Sequence, residues 1–134
     1  METTLAIVKP DTLAEGHAGD CISAYEQAGL RVSAAVVEHL SRDRAALFYA
    51  EHTAKPFFSN LLDYMTSAPV LVLAIAGPGA IAAVREINGA TDPADAAPGT
   101  LRARFGKTVT TNSVHASATA DDAVREVAFF FPSL

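Results

Sequence analysis

The run from Pro69 to Ala76 carries no polar side chain, and Gly77-Pro78-Gly79 closes it. A stretch this short and this apolar reads as a central strand buried on both faces, since no side of it alternates toward water. Such a strand needs covering layers above and below. The rest of the chain supplies them in an order that can be read from hydrophobic period alone.

Thr3 to Val8 is a β-type run stopped by Pro10, whose missing N–H interrupts a ladder. Ala18, Cys21, Ile22 and Tyr25 fall at i, i+3, i+4, i+7 on one helix face, and Gly29 suits its C-terminal cap. Leu30, Val32, Ala34 and Val36 repeat every second residue, which predicts a half-buried strand. Ser41 offers an N-cap for a helix through Tyr49. Pro56 suits the first turn of a further helix whose stripe is Phe58, Leu61, Leu62 and Met65, with Phe57 off the stripe. After the central strand, Ala80, Ala83, Val84 and Ile87 form another helical stripe, with Arg85 at its edge and Gly89 as its stop.

Between Gly89 and Ser113 neither period is present, and a structureless stretch of that length marks a functional loop or a linker. Thr119 and Asp122 then form a capping box for a last helix with Val124, Val127, Ala128 and Phe131 on one face, so His115 lies just before a helix start. The order β-α-β-(αα)-β-α-loop-β-α, without internal repeat, predicts an α/β fold. Its expected form is a ferredoxin-like α/β sandwich with a four-stranded antiparallel sheet, surrounding helices and a long loop at about 89–113. With 134 residues, half of them apolar, the chain is expected to form a single domain over 1–134 without disulfides or structural metal.

Ten basic residues against fifteen acidic ones leave a net charge of −5, which argues against stable binding of nucleic acid. A lone cysteine, Cys21, makes neither an internal disulfide nor a redox pair. The run Leu5-Ala6-Ile7-Val8 is too short for a signal peptide core or a membrane span, so a cytoplasmic protein without membrane contact is expected. Against the acidic background, Arg102, Arg104 and Lys107 gather in the long loop and Arg85 just before it, opposed only by Asp92 and Asp95. Residue chemistry leaves two readings open: a pocket for a small anion, or solvated surface charge.

No G-x-x-x-x-G-K-[ST] and no dinucleotide fingerprint occurs, so any phosphate must be held by side chains. His115 is open to three roles: nucleophile, general base, or hydrogen-bonded structural residue. Asn112, Ser117 and Glu126 give it polar company, and a carboxylate on one ring nitrogen leaves the other nucleophilic. His17, His39 and His52 lack metal-ligand spacing and read as surface or interface residues, so no protein-held metal site is expected. Phe57 is suited either to stacking on a planar ring or to a second packing face with Leu61 and Tyr64.

Asn112-Ser113-Val114-His115-Ala116-Ser117 resembles the nucleoside diphosphate kinase signature N-x-x-H-G-S-[D/A]. Lys9-Pro10-Asp11 resembles the K-P-D that follows the family's first strand. Tyr49-Ala50-Glu51-His52 with Lys55-Pro56-Phe57-Phe58 resembles its Y-x-E-H-x-x-[KR]-P-F-F. Gly89-Ala90-Thr91 and Pro98-Gly99-Thr100-Leu101-Arg102 resemble its G-A-T-[ND]-P and P-G-T-[IL]-R segments, in family order and spacing.

The resemblance implies a ping-pong transfer of the γ-phosphate of a nucleoside triphosphate to a nucleoside diphosphate through a phosphohistidine at His115. By the same resemblance Lys9 contacts the moving phosphate and the sugar, Tyr49 stands beside the histidine, and Ser117 and Glu126 orient it. Arg85, Thr91 and Arg102 hold phosphates, Asn112 meets the ribose 3′-hydroxyl, and Phe57 with Val109 sandwiches the base. Mg²⁺ arrives on the nucleotide, and the protein is expected to be a homo-oligomer, either tetramer or hexamer.

The chain departs from the family pattern at five positions. Ala116 replaces the usual glycine after the histidine, excluding an easy positive φ and adding a methyl near the phosphate, which predicts slower turnover. Ala118 and Thr12 replace a frequent aspartate and a frequent glycine. Glu15 stands where arginine is common and Arg104 where aspartate is common, a reversal that predicts a salt bridge between the first loop and the long loop.

Overall fold

A computed structural model describes residues 1–134. Four strands, β1 (Glu2–Val8), β2 (Arg31–Glu38), β3 (Val70–Gly77) and β4 (Val114–Ala116), form one antiparallel sheet in the order β2-β3-β1-β4. The apolar run became β3, buried at every position and flanked by β1 and β2. Its neighbour β1 is the other central strand, with Leu5, Ala6, Ile7 and Val8 all fully buried.

Alternation along these two strands divides the core. Leu5, Ile7, Val70 and Val72 face one side and pack with Phe48, Leu62, Met65 and Phe130. These come from α3 (Arg42–Phe48), α4 (Phe58–Met65) and α7 (Ala120–Phe130). Ala6, Val8, Leu71, Leu73 and Ile75 face the other side and pack with Cys21, Tyr25, Val84 and Leu101. These belong to α2 (Ala18–Gln27), α5 (Ala80–Asn88) and α6 (Leu101–Phe105). Each face of the sheet therefore has its own apolar layer, as the central strand required.

The helix ends follow their local chemistry. Ser41 Oγ accepts from the Arg44 N–H at 3.1 Å and Thr119 Oγ1 from the Asp122 N–H at 3.1 Å, so each side chain satisfies an N–H that the helix leaves free. Gly89 ends α5 at φ 88°, and a Cβ there would lie 2.5 Å from Thr100 Oγ1, so the stop requires glycine on two counts.

The structure departs from the sequence expectation at α7, where Val124 of the expected stripe is 74% exposed and the helix turns Ala123, Glu126 and Phe130 inward instead, and in two further regions. Pro10 ends β1 but also opens a short helix, α1 (Pro10–Ala14), because its missing N–H is harmless at a first helical position. The long loop contains a 3₁₀ turn at Pro93–Asp95 and the helix α6, capped by Thr100 Oγ1 to the Ala103 N–H at 3.3 Å. Five residues are too few to display a helical stripe, and only Leu101 of α6 is buried. No helix is long and apolar enough to cross a membrane.

Candidate active site

The site starts from strand register. Ile7 pairs with His115 and Val8 with Val114, so β1 and β4 place His115 close to Lys9, the residue that follows β1. The Lys9 N–H donates to the Ser113 carbonyl at 2.9 Å, which continues the contact past the strand end. The turn into β4 is tight: Ser113 has φ 70°, the one non-glycine residue with a positive φ, and it is fully buried.

His115 Nε2 lies 2.7 Å from Glu126 Oε1, and the Ser117 hydroxyl donates to that same oxygen at 2.9 Å. Ser117 is itself locked to β1: its N–H donates to the Leu5 carbonyl at 3.1 Å, and its Oγ accepts from the Leu5 N–H at 3.2 Å. Glu126 is 4% exposed, and its second oxygen has Arg125 Nη2 at 3.5 Å. Phe48 and Tyr49 meet the imidazole edge to face, with centroids 5.5 and 6.2 Å away. With Nε2 donating to the carboxylate, Nδ1 keeps its lone pair and has no protein partner.

His115 opens into a cleft of about 530 Å³ that brings together Lys9, Tyr49, Phe57, Arg85, Thr91, Arg102, Val109 and Asn112. Ser117 and Glu126 lie behind the histidine rather than in the cleft wall. Ala116, whose methyl the sequence placed near the phosphate, lines it as well, as do His52, Leu61, Gly89, Ala90 and Thr110, which sequence reasoning assigned to no ligand. Leu61 was hidden because its helical spacing reads as core, and His52 because it lacks a patterned partner. A wider groove of about 740 Å³ lies elsewhere, with Asp20 and Glu86 set against Arg104, so it has no uniform charge to offer.

Lys9 is the most perturbed cation. It is 6% exposed, and its Nζ donates to Asn112 Oδ1 at 2.7 Å. Burial, with the Arg102 charge adding and Asp11 opposing, lowers its pKa from 10.5 to about 7. Asn112 passes the connection on, its Nδ2 donating to the Thr91 carbonyl at 2.9 Å. Arg102 uses two nitrogens on the carbonyls of Gly89 at 2.7 Å and Val114 at 2.8 Å, while its buried Nε has no partner. The Tyr49 hydroxyl is likewise buried and unpartnered, and burial raises its pKa, so it remains a donor at neutral pH. Three donors are thus held ready around the histidine without a protein acceptor for at least part of their capacity.

Two sequence expectations change. Ala116 has no left-handed φ, so its methyl group creates no backbone strain, and the strained residue is Ser113 instead. No ion pair joins Glu15 to Arg104 within the chain: Glu15 pairs with Lys107 at 3.0 Å, and Arg104 pairs with Asp20 at 3.8 Å and lies over the Phe105 ring. The first loop and the long loop are tied together, but by other partners.

The sheet order and the basic cleft with a histidine at its floor define a class, ferredoxin-like α/β proteins equipped to take up a phosphorylated ligand. Comparison with known proteins narrows that class. The family model for nucleoside diphosphate kinase matches residues 2–134, and the chain belongs to that family. It is 49% identical to the nucleoside diphosphate kinase of Bordetella petrii over 134 residues, covering all of this chain and 95% of that protein. It is 46% identical to the Chlamydia pneumoniae nucleoside diphosphate kinase over the same length, covering 93% of that protein. A crystal structure of the Aquifex aeolicus nucleoside diphosphate kinase superposes with a TM-score of 0.95 at 38% identity, covering 97% of this chain and 94% of that one.

Proposed function

We propose that this chain is a nucleoside diphosphate kinase that carries the phosphate on His115 Nδ1. The observation that supports this most directly is the 2.7 Å contact of His115 Nε2 with Glu126 in a ring that opens on a cation-lined cleft. In the first half reaction Nδ1 attacks the γ-phosphorus of a nucleoside triphosphate, the bond to the β,γ-bridging oxygen breaks, and the diphosphate leaves with that electron pair. In the second, a terminal oxygen of a different diphosphate attacks the phosphohistidine, and Nδ1 leaves with its lone pair restored. Glu126 accepts the hydrogen bond from Nε2–H throughout and offsets the positive charge that develops on the ring, as the carboxylate of a catalytic triad does. Ser117 holds Glu126 in place.

The transferring phosphoryl group needs little covalent help and much charge neutralisation. Lys9, Arg85 and Arg102 supply it, with the Tyr49 hydroxyl and Thr91 as further donors. Asn112 and Lys9 suit the ribose hydroxyls. Phe57 and Val109, 42% and 57% exposed, form the two walls for the base and use its faces rather than its edges, which suits an enzyme that accepts many bases. In this reading Mg²⁺ arrives with the substrate, chelated by its phosphates.

The same reading has one domain acting in the cytoplasm on nucleoside di- and triphosphates, without stable nucleic acid or membrane partners. It also includes self-association as a tetramer or hexamer, favoured by the edge position of β2 and its exposed Val36 and Val37. The test is intact mass after incubation with ATP and Mg²⁺, followed by GTP formation on addition of GDP. One acid-labile phosphate and GTP production, both lost in His115→Ala, are the expected results. Nucleotide binding without phosphate on the protein would overturn the proposal and leave a non-catalytic nucleotide-binding module.

A further inference from the structure

The four cations that sequence placed near the long loop separate in the structure. Arg85 and Arg102 line the cleft and Arg104 pairs with Asp20, while Lys107 lies outside the cleft. Lys107 Nζ stands 3.0 Å from Glu15 Oε2 and 3.3 Å from Asp11 Oδ2. The other Asp11 oxygen accepts from the Tyr64 hydroxyl of α4. One lysine thus connects the end of the long loop to the region around α1 and, through Asp11, to α4.

Residues 107–111 are closed into a turn by their own hydrogen bonds. The Lys107 N–H donates to the Thr111 carbonyl at 2.9 Å, and the Thr108 and Thr111 hydroxyls are 2.8 Å apart. Each of those hydroxyls also accepts from the other residue's backbone N–H, at 3.0 and 3.2 Å. Val109 and Thr110, at the tip of this turn, form part of the cleft wall. A stiff turn is placed by its two feet. One foot is Asn112, held by Lys9 and the Thr91 carbonyl, and Lys9 and Asn112 both line the cleft. Lys107 is the other foot, and neither of its carboxylate partners lines the cleft.

We propose that Lys107 is a positioning residue that fixes the 108–111 tip over the cleft, and so sets the distance at which the Val109 wall meets the nucleotide base opposite Phe57. This rests on the nucleotide reading above and deepens it. The tether acts on the base and not on the phosphates, so its loss weakens ligands that carry a base. Lys107 is also half exposed, so its replacement leaves the fold intact.

The experiment compares wild type, Lys107→Met and Lys107→Arg by calorimetric titration with ADP and with inorganic tripolyphosphate, a ligand without a base. Hydrogen exchange of residues 106–112 in the free proteins and kcat at saturating nucleotide complete it. Lys107→Met is expected to bind ADP about 3-fold more weakly, the scale of an exposed ion pair, with tripolyphosphate affinity and kcat unchanged and faster exchange in 106–112. Lys107→Arg is expected to restore ADP affinity. Equal weakening of ADP and tripolyphosphate would overturn the proposal, because it would reduce Lys107 to a source of general charge attraction. Wild-type ADP affinity in Lys107→Met would overturn it too. If wild type itself bound no ADP, the nucleotide reading would fail and take this proposal with it, an outcome visible before any variant is compared.

Discussion

Burial lowers the Lys9 pKa to about 7 in the free protein, so the proposed contact of Lys9 with bound phosphate predicts that nucleotide binding is linked to proton uptake. Moving the pKa from 10.5 to about 7 corresponds to about 5 kcal/mol against the charged form. At pH 8 only about a tenth of Lys9 side chains are then protonated. Bound phosphates are opposite charges within contact distance and restore the proton. Nucleotide binding should therefore take up about 0.9 proton at pH 8, about 0.5 at pH 7 and almost none at pH 6. A phosphate's own second pKa lies near ~6, so pH 8 keeps ligand titration out of the measurement. Calorimetry of ADP binding in buffers of different ionisation enthalpy counts these protons directly.

Linkage sets the sign for stability as well. Between about pH 7 and 10.5 the unfolded chain keeps the Lys9 proton and the folded chain has lost it, so this group's contribution to stability rises with pH across that window. Below pH 7 both states are protonated and the full cost of burying the charge applies. Lys9→Met should accordingly stabilise the free protein most near pH 6, with the advantage shrinking by about 1.4 kcal/mol per pH unit above 7. The absence of proton uptake at pH 8 in wild type, or equal uptake in Lys9→Met, would refute the reasoning.

Three further outcomes follow from the site. Glu126→Gln should slow phosphohistidine formation up to about 100-fold in single-turnover quench experiments while leaving ADP affinity unchanged, since Glu126 lies behind the cleft; an unchanged rate would remove it from the mechanism. Phe57→Ala should weaken ADP by about 1 kcal/mol, the low end for a stacked base because the ring is already 42% exposed, with tripolyphosphate binding unaffected in the same titration. Ala116→Gly should lose about 0.5–1 kcal/mol in urea unfolding, because residue 116 is a strand residue without positive φ and glycine there brings only entropy cost; a stabilised variant would show hidden strain.

The elements with a period were legible before any coordinates. β3 announced itself by composition, α2, α4 and α5 by their stripes, and the starts of α3 and α7 by Ser41 and Thr119, whose side chains make the expected bonds, whereas the stripe expected for α7 missed its buried face, which is Ala123, Glu126 and Phe130. The ordered motifs around Lys9, Tyr49, Gly89 and His115 pointed to the family. Elements shorter than one stripe escaped. α1 and α6 have five residues each, and their only local marks are Pro10 at a first helical position and Thr100 as a cap.

Hydrophobic period and backbone propensity are local, so the sequence by itself determined the longer strands and helices and the apolar faces of β3, α2, α4 and α5. Family motifs named candidate site residues, most of which line one cleft. Their partners are a matter of distance across the fold, and only the tertiary structure decided those. Glu15 and Arg104 have opposite charges and an inviting place in the motifs, yet they end with Lys107 and Asp20 because α1 and α6 deliver them to different neighbours. The pKa of Lys9 could not be read from Lys-Pro-Asp, since it depends on how completely β1, β4 and Asn112 exclude water from one ammonium group. The strain in the turn before the histidine rests at Ser113 and not at Ala116 because the pairing of β1 with β4 requires the chain to reverse just ahead of Val114.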